Sequence, residues 1–411
     1  MRLPAESVCA GKGKASDTSI RREPHQYVDS GVRFADKTPD SAQFDPQGFP
    51  QPVDDRLIST TPVDRRERVR VSLTPVAALR RIAFLLERAR ADTYKVKAFR
   101  TAANAVLPLD DQELLALAET GRLTTLTGVG KSTATVIEQA LAGDVPNRLA
   151  ALEASDGGPL TKGGADLRAA LKGDLHSHSD WSDGGSPIEE MAMTAIELGH
   201  DYLVLTDHSP RLRVANGLSA ARLMRQLDVV EAVNEHLEGS FQLLKGIEVD
   251  ILDDGSLDQT EQMLAQLDLR VASVHSKLQM DADQMTRRMV AAARNPYTNV
   301  LGHCTGRLVT GNRGVRGQSK FDARAVFEAC AEHNVAVEIN ARPERRDPPT
   351  GLIQLANKIG CLFSIDSDAH APGQLDFQVY GCERAENLGI DPDRIVNTWS
   401  AERLLEWANP V

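Results

Sequence analysis

The sequence predicts an α/β fold: a barrel of about seven β/α units set behind a small all-α domain and a disordered tail. Over residues 172–411 short apolar runs alternate with helical patterns, the rhythm and size of a single α/β barrel. Residues 73–153 carry a helical period with no strand-like run between. Residues 1–72 are rich in Pro, Gly, Asp, Ser and Arg and show no sustained apolar period. An open doubly wound sheet would give a similar β/α rhythm, and no internal repeat is visible at a fixed period.

The 411 residues are 41% hydrophobic and 26% charged, enough for two or three domains with cores of their own. No run approaches the roughly 18 apolar residues that cross a bilayer, and the opening MRLPAESVCAGKGKASD lacks the apolar centre of a secretory signal. No membrane partner and a cytoplasmic location are therefore expected. The five cysteines, Cys9, Cys304, Cys330, Cys361 and Cys382, are odd in number and never in a CxxC pair, which argues against a disulfide framework or a thiolate zinc site. The net charge is −11, divided as 22 basic and 19 acidic residues over 1–150 and 25 and 39 over 151–411. The acidic part is a poor footprint for nucleic acid. It suits a site that keeps divalent cations on carboxylates, and equally a solvated acidic surface.

In chain order, the tail includes DKTPDSAQFDPQGFPQPVDD. At residue 74 the pattern changes: TPVAALRRIAFLLERARAD puts Val76, Leu79, Ile82, Ala83 and Leu86 on one helical face, with Thr74 and Pro75 as N-cap and first helical residue. LTGVGKSTATVIEQAL (126–141) has the Gly-Val-Gly turn of a helix-hairpin-helix. Gly128 and Gly130 would let the backbone approach closely, and the amides that open the next helix can hold a DNA phosphate without reading sequence, with Lys131 adding charge. A lone Gly-x-Gly before a helix also suits an ordinary packing unit. SDGGPLTKGGAD lies in a Gly-rich polar stretch, and residues 154–171 are expected as a linker. Strands are then expected at GDLHS, DYLVLTDH, QLLKGIEVD, LRVASVH, NVLGH, VAVEIN and CLFSIDSDAH.

Of ten histidines, only His25 precedes residue 176. Six sit at or just past the C-terminal end of an expected strand: His176, His178, His208, His275, His303 and His370. Glu248 ends another strand, and Asp183 and Asp368 stand in the same loops. Catalytic groups of α/β folds gather at such ends. One histidine there is more often a satisfied loop residue; six with three carboxylates point to divalent metals, which take imidazole nitrogen and carboxylate oxygen. Nine ligands, one of them bridging, suffice for two or three ions of zinc, manganese or iron. His200, His236 and His333 fall within helical patterns and are expected as surface residues.

This set resembles the polymerase-and-histidinol-phosphatase (PHP) family, whose nine-ligand pattern is matched in order by His176, His178, Asp183, His208, Glu248, His275, His303, Asp368 and His370. The resemblance covers about residues 172–390. TDHSPRLRVANGLS, GIEVDILDDGSLD, NPYTNVLGHCTGRL, EINARPERRD and DAHAPGQL are similar to the PHP domain of bacterial family X DNA polymerases. It implies a distorted (β/α)7 barrel, up to three metals and phosphoesterase chemistry. It also implies one ion on His176, His178, Glu248 and Asp368, a second on Glu248, His275 and His303, and a third on Asp183, His208 and His370. Glu248 would bridge two ions, and Glu248, Asp368 and Arg345 would be the catalytic set.

Arg342, Arg345 and Arg346 follow a strand end and could clamp phosphate oxygens. Arg345 and Asp347 match the family phrase and Arg342 departs from it. Arg213, Asn216 and Arg307 are further loop candidates, and Cys304 stands where that branch has proline.

Residues 74–152 resemble the N-terminal DNA-binding domain of the same polymerases, which adds Lys95, Lys97 and Arg100 to Gly128, Gly130 and Lys131 as expected backbone contacts to DNA. Some members use a lysine six residues after the second glycine of the turn as a lyase nucleophile; here that position is Val136. Only about 20 residues separate Leu152 from Lys172, too few for a polymerase palm and fingers. The expected function is a metal-dependent phosphoesterase acting on DNA ends, as a 3′-5′ exonuclease or end-processing phosphodiesterase in repair. The rivals are a phosphatase of small monoesters such as histidinol phosphate, and a DNA-binding scaffold with a structural barrel.

Overall fold

The computed structural model describes residues 73–409 apart from 238, 240, 312 and 313; the expected tail lies outside the described residues. Five helices come first: α1 (Pro75–Arg88), α2 (Thr93–Val106), α3 (Asp111–Glu119), α4 (Lys131–Leu141) and α5 (Asn147–Asp156). Thr74 Oγ1 accepts from the Ala77 amide and Pro75 opens α1, as its sequence dictates. Asp110 and Glu113 close a reciprocal capping box on α3. Leu79, Ile82, Phe99, Val106, Leu123 and Ile137 centre this domain's core.

Helix α1 is buried beyond the one stripe its period predicts, because Phe84, Leu85 and Glu87 are covered too. It packs on α2, α4 and α5 and also on the segment Pro372–Phe377 of the following domain. A helix covered on two sides needs apolar residues on both. The run IAFLLER supplies them.

The second domain alternates strand and helix. Its elements are β1 (Gly173–Ser177), α7 (Ile188–Glu197), β2 (Tyr202–Leu205), α8 (Ala220–His236), β3 (Gln242–Asp250), α9 (Glu261–Leu264), β4 (Leu269–Ser273), α10 (Ala282–Ala293), β5 (Val300–Leu301), α11 (Ala323–Glu332), β6 (Ala336–Asn340), α12 (Thr350–Ile359), β7 (Phe363–Asp366), α13 (Gln378–Asn387) and α14 (Ala401–Ala408), with a short α6 (Ala165–Ala170) before β1. All seven strands are parallel and neighbours in chain order. The sheet nearly closes: β1 and β7 meet through a bridge between Ser177 and Ala369, and the His178 amide donates to the Ala369 carbonyl at 2.8 Å. Buried carboxylates complete the seam, since Asp366 accepts from the Leu175 amide and Asp174 from the Ser367 amide. The barrel is distorted by a register shift between Asp174 and Ser177 and by a β5 of two residues.

The N-terminal end of the barrel is closed by the C-terminal segment. Tyr202 Oη donates to the carbonyls of Asn397 and Trp399, and the Asn299 side chain donates to the Ala408 carbonyl. The opposite, C-terminal end is left for the functional groups.

Two expectations need revision. Within residues 154–171, expected as a linker, α5 continues to Asp156, and α6 with the residue that follows it adds Leu167 and Leu171 to the barrel core. Glu383 and Glu386 of α13 accept the amides of Lys162, Gly163, Gly164 and Leu167, so the stretch is fastened down. Gly164 has φ +84 and lies so close to α13 that a Cβ would come 2.4 Å from the Glu383 nitrogen; that approach explains the glycine. His200 is not a surface residue: it is 4% exposed, where α7 turns into β2. His236 and His333 are exposed as expected.

Candidate metal centre

Each of the nine residues named from sequence comes from a strand end, and the barrel brings all nine to one place. His176 lies in β1, His178 and Asp183 follow it, His208 follows β2, and Glu248 lies near the end of β3. His275 follows β4, His303 follows β5, and Asp368 and His370 follow β7. Eight of the nine are under 20% exposed, most of them near zero, and Asp183 is the one at the rim with 25%.

Glu248 is at the middle. Its Oε2 lies 3.4 Å from His176 Nε2, 3.7 Å from His178 Nε2 and 2.8 Å from His208 Nδ1. Its Oε1 lies 3.2 Å from His275 Nε2 and 2.9 Å from His303 Nε2. Asp368 Oδ1 joins the first group, 3.5 Å from His178 Nε2 and 4.0 Å from His176 Nε2. Asp183 Oδ1 is 3.4 Å from both His208 Nε2 and His370 Nε2. Two donors on one tetrahedral zinc, each about 2.1 Å from it, stand about 3.4 Å apart. The spacings are those of a metal-ligand set.

The grouping is more interwoven than three separate sets. His178 also falls within ligand distance of Asp183, His208 and His370, and His208 within that of Glu248 and His275. Two residues, Glu248 and His208, thus offer a different atom to each of two groups.

A chemical test of fit comes from the unpartnered atoms. His176 Nε2, both nitrogens of His178, His208 Nδ1, His275 Nε2, His303 Nε2 and both Glu248 oxygens are buried with no hydrogen bond. Buried polar atoms are nearly always satisfied, and leaving so many bare is costly. Divalent cations are the partners whose charge and geometry suit them all. Burial and the neighbouring His370 and His208 push the His178 ring down to about 3, so it is neutral and its lone pair is available. Burial would lower His208 as well, but Glu248 and Asp183 raise it to about 10. Glu248 and Asp368 are held well below the usual carboxylate range, against burial, chiefly by His275 and Arg345 respectively.

Around the nine stands a layer that the sequence did not single out. Glu338 of β6 lies 2.6 Å from His176 Nδ1 and also accepts the His303 amide. Asp250 accepts the His275 amide, and the Asn340 side chain donates to Glu338 and Asp368. The alternation of Glu338 and Asn340 along VAVEIN put two polar residues on one face of a buried strand, which was the available signal.

The arginines divide. Arg345 Nε donates to Asp368 Oδ2 at 2.8 Å, and its side chain is 16% exposed at the rim. Arg342 donates to the Asp368 carbonyl and meets His370 Nδ1 at 2.8 Å. Arg307 donates to the carbonyls of Arg345 and Arg346, which makes it a brace of that loop. Asn216 adopts φ +55 and donates to the Trp181 carbonyl, bracing the loop that carries Asp183, while Arg213 lies in the adjoining turn. Cys304 is buried in the barrel core.

In the helical domain, Gly128, Gly130, Lys131, Lys95 and Lys97 are all exposed. Gly128 has φ +94 and packs against Thr101, whereas a Cβ on Gly130 would meet nothing within 4 Å. Arg100 is a correction: it is 8% exposed, its guanidinium held by both Glu87 oxygens at 2.9 and 2.7 Å and by Glu190 at 3.2 Å. Two buried carboxylates outcompete any phosphate for that cation. Val136 is buried in the helical core. The Lys95 ammonium pairs with Asp92 at 3.0 Å, which raises its pKa.

Two parts of the chain match known families. The family model of the PHP domain matches residues 174–342, and that of a helix-hairpin-helix domain matches residues 74–145. The DNA polymerase/3′-5′ exonuclease PolX of Bacillus subtilis (strain 168) is 38% identical over 230 residues. That alignment covers 56% of this chain and 40% of PolX, so the chain spans less than half of that relative's length. A Thermoanaerobacter protein named as a probable phosphatase is 29% identical over 240 residues, covering 55% of this chain and 89% of its own. Among solved structures, histidinol phosphate phosphatase from Lactococcus lactis with zinc, L-histidinol and phosphate aligns with a TM-score of 0.38 and 15% identity, over 53% of this chain and 92% of that one.

Proposed function

We propose that this chain, in which the models of a PHP domain and of a helix-hairpin-helix domain match residues 174–342 and 74–145, is a metal-dependent phosphoesterase acting on DNA ends, as a 3′-5′ exonuclease or end-processing phosphodiesterase in repair. The observation that carries the reading is the gathering of six histidines and three carboxylates at one end of the barrel, with facing atoms of His176, His178, His208, Glu248, His275 and His303 buried and without a hydrogen bond.

In this reading His176, His178, Asp183, His208, Glu248, His275, His303, Asp368 and His370 hold two to three ions of zinc, manganese or iron, a choice that imidazole and carboxylate ligands leave open. Bound there, the ions supply Lewis acidity and bring a water near deprotonation at neutral pH. Glu248 presents one oxygen to each of two groups and so fixes their separation. Asp368, ionised and tied to Arg345, anchors the first group. Arg345 brings a cation to the rim of the cleft, where it can meet a phosphate oxygen.

The exposed start of α4 at Gly130 and Lys131, with Gly128, Lys95 and Lys97 nearby in the domain, would hold the DNA backbone through amides and ammonium groups without reading sequence. The 38% identity to PolX over 230 residues supports a DNA end as substrate. A second reading, a small-molecule phosphomonoesterase of the histidinol-phosphatase type, is favoured by the 240-residue alignment that spans 89% of a protein named as a probable phosphatase.

The two part in one assay, in which purified protein with manganese is offered a 3′-labelled primer–template, p-nitrophenyl phosphate and histidinol phosphate. Release of nucleotides from the 3′ end supports the DNA reading. Fast monoester turnover with the DNA untouched supports the other.

A further inference from the structure

We infer that the helical domain is part of the scaffold of the metal centre, with α1 bracing the loop that carries Asp368 and His370 and Glu87 as the positioning residue at the contact. The inference rests on the ligand assignment above.

The loop leaves β7, places Asp368 in a left-handed conformation at φ +51 and then His370, and continues into Pro372–Phe377. That continuation is the surface on which α1 lies. Glu87 Oε2 accepts the Gly373 amide at 2.7 Å. A Cβ on Gly373 would sit 2.3 Å from the Phe84 carbonyl oxygen, so the two backbones touch and no side chain fits between them. Arg88 Nε pairs with Asp376 Oδ2 at 2.5 Å, with Arg88 9% and Asp376 22% exposed. From the other direction, Arg90 reaches Glu344 at 3.4 Å, in the loop whose Arg342 and Arg345 hold Asp368.

Glu87 does two things at once. It takes the Gly373 amide and the Arg100 guanidinium, and Arg100 in turn reaches Glu190 in α7 of the barrel. All three charged side chains are under 10% exposed. A buried charge of this kind is tolerable only with its partners in place. The satisfied state is therefore the docked state, and docking fixes the start of the segment three residues beyond His370. A domain needed only to hold DNA would be served by a flexible tether.

The contact is one-sided, which gives it a signature. Asp368 and His370 follow β7, whereas Glu248, His275 and His303 come from β3, β4 and β5. Loosening α1 should weaken the ions that Asp368 and His370 hold and spare the one on Glu248, His275 and His303.

The test is manganese titration of the full chain, read by calorimetry and by electron paramagnetic resonance, for the parent, Glu87→Ala, Glu87→Gln and Asp376→Asn, with circular dichroism as the check on folding. In Glu87→Ala one class of site should keep its parental affinity while the rest weaken about tenfold or more, the size of losses when the support of a ligand is removed. Glu87→Gln keeps an oxygen for the Gly373 amide and should recover part of the loss. Asp376→Asn removes one charge from a partly exposed pair and should weaken the same sites, which keeps the inference testable if Glu87→Ala does not fold. Folded variants with parental affinity at every site, or with uniform weakening of all sites, would overturn it. A parent that takes up no manganese would overturn the ligand assignment, and this inference with it.

Discussion

His176 Nδ1 lies 2.6 Å from Glu338 Oε1, with both side chains fully buried. With Glu338 accepting the Nδ1 proton, the lone pair of His176 is on Nε2, the atom that faces Glu248 and Asp368. Orientation of this ligand is thus built into β6, on which no ligand stands.

Glu338→Ala should consequently lower manganese affinity about 10- to 100-fold, the usual effect of removing the carboxylate behind a ligating histidine. Competition titration against a fluorescent chelator measures it. Parental affinity in a folded variant would show that His176 needs no such partner.

The nine candidate ligands stood out because each ends an apolar run or stands in the loop that follows one, so composition and position coincide in the chain. Glu338 did not, because the residue it orients is 162 positions away and only barrel closure brings them together. Arg100 was misjudged for the same reason: a cation on an amphipathic helix looks alike whether it faces DNA or a carboxylate, and Glu190 lies in another domain. The seven β/α units could be counted from periodicity. That α1 is covered on a second side, and that the Gly-rich stretch after α5 is fastened to α13, depends on docking between domains, to which local pattern is blind.

Glu248→Ala and His176→Ala should each reduce phosphoester hydrolysis to the level of chelator-treated protein while leaving DNA retention on a filter or gel unchanged. Glu248 serves two groups and His176 the first, and both stand in barrel strands rather than in the helical domain that carries α4. Joint loss of hydrolysis and retention would contradict the assignment of binding to the helical domain.

Gly130→Val should leave the fold intact, because φ is −97 there and a Cβ would meet nothing within 4 Å. The branched side chain would instead stand where a phosphate approaches the opening amides of α4. DNA affinity is expected to fall about 2- to 10-fold, the size of one helix-terminus contact, with turnover of p-nitrophenyl phosphate unchanged. Lys131→Ala should reduce the slope of log affinity against log salt by about 1. Unaltered DNA affinity in both variants would contradict the helix-hairpin-helix contact.

Burial, followed by the nearby Arg168, pushes His200 down to about 3. In the unfolded chain it titrates at about 6.5. Between these values the unfolded chain binds the extra proton, so stability is lost as pH falls through 6.5 toward 3. Unfolding free energies of metal-free protein, from urea titrations at pH 7 and pH 4.5, should therefore differ less in His200→Asn than in the parent, by up to about 2 kcal/mol. Equal pH dependence in the two proteins would show that His200 is solvated in the folded state.

The most direct measurement of the central claim is metal content and hydrolysis in the same samples. Parent and Glu248→Ala would be stripped with chelator, reloaded with manganese, dialysed, analysed for bound metal by mass spectrometry, and assayed on bis-p-nitrophenyl phosphate. Two to three ions per parent chain are expected, with activity that vanishes on stripping and returns on reloading, and a Glu248→Ala protein with fewer ions and no activity. Hydrolysis that persists in the stripped parent, or full activity in Glu248→Ala, would contradict it.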